Sequence, residues 1–170
     1  MSIYTVNNRE LFSPKPDFTI TLGIPTFYAL HQMQLELESN TLSVHSNLWG
    51  GNHWHLVLLM TNTKYATLLP VAYVRPLHPG IIQILSNATC VALYKLNRVY
   101  DDNLWVFHEV CGFKQALIQQ VFTAVDEQYI ISMKNRATRK FTGNIHHIVA
   151  YLLSTYRKIS LSHWTISKKK

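Results

Sequence analysis

Two histidines one residue apart, His53 and His55, are the first residues in this chain whose type and spacing suit chemistry. On a strand such a pair faces one way and can hold a metal ion, whereas positions i and i+2 of a helix diverge. The following run, Leu56 to Met60, is apolar at every position with Val57 its one β-branched member. Leucine and methionine prefer helix, so a turn at Gly50-Gly51 feeding a buried helix is the reading. No cysteine or carboxylate stands close in sequence to complete a ligand set of four. His146 and His147 are adjacent and are expected to point apart as well. No metal site is assigned.

Other constellations fail on similar grounds. Gly50-Gly51 lacks the Gly-Lys-Ser/Thr that would cradle a nucleotide. Asp101 and Asp102 follow Lys95 and Arg98, a pattern that reads as solvent-facing charge on an amphipathic helix and not as a general acid and base. His108 and Cys111 lie three apart on one helix face, but Cys111 falls on an apolar stripe, where a buried thiol is inert. Cys90 and Cys111 are the only cysteines and read as small buried apolar side chains, not as a disulfide framework. Catalytic residues, cofactor and small-molecule substrate are therefore all assigned as none, and the chain reads as non-enzymatic.

Charge is the stronger signal. Residues 1–127 hold 7 Lys or Arg and all 9 Asp or Glu, whereas residues 128–170 hold 9 Lys or Arg and no acid. Such a block attracts polyanions. Lys134, Arg136, Arg139, Lys140, Lys168, Lys169 and Lys170 are the nucleic-acid-binding candidates, with a solvated face and loose tail as the competing reading. Trp49, Trp54, Trp105 and Trp164 lie mostly away from the basic residues, so the interleaving of a stacking groove is weak.

These residues need a scaffold. A chain of 170 residues, 48% hydrophobic and 15% charged, can bury one core. No run reaches the roughly 18 apolar residues of a membrane span, and Met1 to Glu10 lack the apolar heart of a secretory signal. A soluble, cytoplasmic protein without a membrane partner is expected. Residues 1–24 form an extended lead-in with a short strand at Phe18 to Leu22, and a helical domain spans 25–160. A basic tail covers 161–170. The pattern predicts a helix from Thr26 over Phe27, Leu30, Met33 and Leu37, closing near Asn40, then a short helix over Leu42 to Leu48. Thr61 or Asn62 caps the next helix. Three prolines and a glycine between Pro70 and Gly80 make a long loop, packed through Tyr73, Val74 and Leu77.

Ser86 or Asn87 is then expected to cap an amphipathic helix of roughly twenty-five residues, with Val91, Ala92, Leu96, Val99, Tyr100, Leu104, Phe107 and Cys111 recurring at helical steps. Gly112 weakens it without ending it. In the next helix Phe113, Ala116, Leu117, Gln120, Val121 and Ala124 form one stripe and Ile118, Phe122 and Val125 a second. A helix apolar on two faces is central. Asp126 is expected to cap a short helix over Glu127 to Lys134. Thr142 or Asn144 caps the last one, whose stripe is Ile145, Ile148, Val149, Leu152, Leu153 and Tyr156.

The order of motifs carries a resemblance. It runs through Gly23-Ile24-Pro25-Thr26, Ser46 to Gly51, His53-Trp54-His55-Leu56, Tyr65, Arg75-Pro76 and Pro79-Gly80. It continues through Gln119-Gln120, Ala124 to Glu127, Tyr129, Asn135 to Thr138, Gly143, Tyr151-Leu152, Thr155-Tyr156 and Ile159. Over roughly residues 20–160 this series resembles the N-terminal half of Gag-like proteins of copia-type LTR retrotransposons, by order and spacing more than by any one motif. Trp49, Trp54 and Arg157 stand where the family has glycine.

The resemblance implies an all-α, capsid-N-terminal-domain-like bundle that self-associates as a homo-oligomer into a shell around the element's RNA. The two-faced helix would then meet a neighbour through Ile118, Phe122 and Val125. The family continues into a second capsid half and a zinc knuckle, so the chain is expected to be a fragment or a degraded copy. The alternative is a nucleic-acid-binding module using the basic C-terminal segment.

Overall fold

Among the described residues four α-helices carry the architecture, and threonines start three of them. The computed structural model describes residues 23–44, 46, 51–69, 73–84, 86–138, 141 and 143–167, with backbone alone for 51, 52 and 157–167. The expected lead-in strand lies outside the described residues, as do residues 45, 47 and 48 of the short helix expected over Leu42 to Leu48, whose Leu42 and Ser43 instead end the first helix. Helix α1 spans Phe27–Ser43, α2 Asn62–Leu68, α3 Cys90–Ala124 and α4 Ile145–Ser167. Short 3₁₀ segments cover Gly51–Leu58, Glu127–Tyr129 and Ile131–Met133. The described residues are mostly helical and contain no strand, only an isolated bridge between Lys134 and Phe141.

The caps have a common chemistry. The hydroxyls of Thr26, Thr61 and Thr89 accept from the amides of Ala29, Lys64 and Ala92, each satisfying a first-turn N–H that has no intrahelical partner. Thr89 therefore replaces the Ser86 or Asn87 expected at the start of α3. Asn40 and Thr41 do not break α1 as expected. Thr41 is buried and donates back to the carbonyls of Leu37 and Glu38, so its hydroxyl is satisfied inside the helix.

One core joins α1, the C-terminal half of α3 and α4. Leu30, Met33 and Leu37 meet Phe113, Leu117 and Val121, and Ile145, Ile148 and Leu152 close it. Of the six positions that the α4 spacing singles out, Ile145, Ile148, Val149 and Leu152 are buried, and Leu153 and Tyr156 are half-buried. A smaller cluster, Leu56, Val57, Met60 and Tyr65, sits under Tyr73. The apolar run after the glycine pair is thus helical, as its composition suggests, but wound as a 3₁₀ segment with His55 buried and His53 exposed.

Three expectations change. The two helices read on either side of Gly112 are one continuous helix of 35 residues. Glu127 to Lys134 forms two single 3₁₀ turns, and the Asp126 side chain caps neither. Cys90 and Cys111, expected to be buried, are both exposed.

Candidate functional site

The N-terminal half of α3 is largely exposed. From Val91 to Asn103 every residue is exposed except Leu93 and Tyr100, which are half-buried. Val91 is 65% exposed, Tyr94 69% and Trp105 51%. The stripe of Val91, Leu96 and Val99, expected to pack, is open instead. The reason is positional: α1 and α4 reach only the half of α3 that begins near Glu109, where burial starts.

One side of this arm is covered by its own chain. Residues 73–80 have no regular structure and run along it. The Tyr100 hydroxyl donates to the Gly80 carbonyl at 3.0 Å, and the His78 ring meets Phe107 edge-on at 5.2 Å. Gly80 sits at φ +77°, a backbone region that glycine enters without strain. Tyr73 packs against Trp54 and Tyr65, but Val74 and Leu77, expected to pack, are exposed. At 100° per residue, Tyr100, Asn103 and Phe107 share one side of α3, and Val91, Tyr94, Lys95, Arg98, Asp102 and Trp105 share the opposite side. The loop therefore leaves the second side free.

That free side is self-complementary. Counted outward from Arg98, Lys95 stands on the same flank as Asp102, three residues to one side against four to the other, and Val91 mirrors Trp105. Two such helices crossed antiparallel about Arg98 bring each Lys95 near an Asp102 and each Val91 near a Trp105, with the two Arg98 side chains meeting at the axis, where their like charges oppose the contact unless they turn outward to solvent. The sequence reading treated these charges as solvated. The mirror spacing was visible there, but it became a signal only once the neighbouring apolar residues proved uncovered.

The arm begins where a buried ionisable pair ends the core. His55 Nε2 lies 3.8 Å from Glu109 Oε1, and the His55 ring stacks on Phe113 with centroids 4.0 Å apart. Both ring nitrogens of His55 and Oε2 of Glu109 are buried without a hydrogen-bond partner. Burial depresses the His55 pKa to about 4 and raises that of Glu109. A neutral imidazole packed on a phenyl ring, closed off from solvent, is a structural element and not an acid–base catalyst.

The residues proposed from sequence are scattered by the fold. Lys134 pairs with Glu127, and its ammonium also lies over the rings of Phe122 and Phe141 at 5.9 and 5.5 Å, so its charge is already partnered. Arg136 is exposed beside it in sequence. Arg139, Lys140, Lys168, Lys169 and Lys170 lie outside the described residues. Val125 is 1% exposed and belongs to the core, so it is not available to a neighbour. Ile118 and Phe122 are half-buried against the same core, and the outer edge of Phe122 is covered by Phe141 at 4.5 Å.

Comparison of the chain with protein-family models, curated proteins and solved structures gives no match. Among the described residues no helix is long and apolar enough to cross a membrane, and no three His, Cys, Asp or Glu are grouped to hold a metal ion.

Proposed function

We propose that this chain is a non-enzymatic structural unit of the capsid type, one whose copies associate through the free half of α3. The observation that carries the reading is the arm itself. A helix of about fifteen residues is marginal in water unless an apolar face is packed, and here that face is open and matches itself. The motif order shared with Gag-like proteins points the same way. In this reading a cytoplasmic shell encloses RNA, which the basic segment 128–170 contacts. Ile118 and Phe122 then serve the core, and the contact between copies moves half a helix toward the N-terminus.

The alternative, a module built only to bind nucleic acid, is less well supported because Lys134 is spent on Glu127 and two aromatic rings. The test places one cysteine on the predicted two-fold axis. In a background with Cys90 and Cys111 replaced by serine, Arg98→Cys should oxidise to a covalent dimer, while Asn97→Cys, turned away on the same helix, should not. Tyr94→Asp should abolish the concentration dependence of the sedimentation coefficient. A chain that stays monomeric at all concentrations, or crosslinks equally from residue 97, would overturn the reading.

A further inference from the structure

A cleft of about 500 Å³ opens where the 3₁₀ segment Gly51–Leu58, the loop of residues 73–76, the middle of α3 and the start of α4 come together. Its polar lining is one-sided in charge. Arg75, Lys114, His146 and His147 all face it, and no Asp or Glu does. Among the described residues neither Arg75 nor Lys114 pairs with a carboxylate. The Lys114 ammonium donates to the Asn144 side-chain oxygen, at 3.5 Å. Burial, and after it the neighbouring His147 and Lys64, hold the His146 pKa below its ordinary value. The rest of the lining includes apolar side chains, among them Met60, Tyr73, Phe107 and Val110.

Cations gathered in a concave site, with no acid to neutralise them, focus a positive field into it. Arginine and lysine side chains make charge-assisted hydrogen bonds to phosphate oxygens, and neutral histidines add N–H donors. Aromatic and aliphatic side chains beside such donors suit a flat ring, and the volume lies within the range of small-molecule sites. We infer that this cleft binds a nucleotide, with its phosphates on Arg75, Lys114, His146 and His147 and its base against Tyr73 and Phe107. The site is separate from the free face of α3 and does not depend on how copies associate. Sequence reading missed it because its four basic residues come from three distant segments, and because adjacent histidines were expected to diverge. At the start of α4 both line the same cleft.

The full chain titrated calorimetrically with ATP, and separately with tripolyphosphate, tests this. ATP should bind saturably and more tightly than tripolyphosphate, because only ATP has a ring for the apolar side chains. Arg75→Gln and Lys114→Gln, each with the parent's melting temperature, should weaken ATP roughly tenfold or more. Replacing Lys168, Lys169 and Lys170 by glutamine should leave the affinity unchanged. Absence of saturable ATP binding would overturn the inference, as would tripolyphosphate binding equal to or tighter than that of ATP. So would an undiminished affinity in Arg75→Gln, the more exposed of the two positions. An equal loss on changing the tail lysines would assign the binding to diffuse charge instead.

Discussion

The two halves of α3 share one backbone and differ in everything around it. From Glu109 to Ala124 seven residues are buried, and the helix is held by α1 and α4. From Cys90 to Leu104 none is, and among the described residues it is the loop of residues 73–80 that reaches it. Helical periodicity is present in both halves. Amphipathicity states that a helix has a partner; it does not say whether that partner is in the same chain.

The contrast is open to direct attack. Leu117→Asp places an unpaired charge at a fully buried position and should cost several kcal/mol or unfold the chain, read by chemical denaturation. A stable Leu117 variant would mean the core half is as open as the arm. Acid tests the boundary between the halves. Because His55 titrates near pH 4 when folded and near 6.5 when unfolded, the unfolded chain binds more protons between those values. Stability should therefore fall as pH drops from about 6.5 toward 4, by up to about 3 kcal/mol.

Glu109 works in the opposite direction. Its raised pKa lets the folded state take up a proton on the same descent, which offsets part of the loss. Glu109→Gln should steepen the fall and His55→Phe should flatten it. A profile unchanged by both substitutions would remove this pair from the account. The smallest effect belongs to the arm: Val91→Asp should change monomer stability by no more than about 0.5 kcal/mol while weakening association. A large loss of stability there would show that the face is not free.

Much of the helical scaffold was legible because local rules govern it. The α4 stripe placed Ile145, Ile148, Val149 and Leu152 in the core, and Thr61 was recognisable as a cap from its side chain and position. Where several residues offered the same local chemistry, the reading slipped: Ser86 and Asn87 are as good cap types as Thr89, and Asn40-Thr41 reads as a helix break until Thr41 is seen to satisfy itself. Gly112 was read as a weak point, and the helix passes through it because Phe113, Leu117 and Val121 are anchored just beyond. The cleft was not legible at all. Arg75, Lys114 and His146 are each unremarkable among their sequence neighbours, and only tertiary packing brings them to one cleft.

Continuity through Gly112 has a kinetic consequence. An isolated segment the length of the arm must nucleate its own first turn, which is the unfavourable step of helix formation. Here the hydrogen-bond ladder of the core half supplies that turn, and the arm adds to it residue by residue. Its amide protons should exchange in a graded series, fastest near Thr89 and slowest toward Glu109, without one shared opening rate. A second copy docking on the outer turns would act on a helix that is already formed but frays from its tip, and would show first as slower exchange at Ala92 through Leu96.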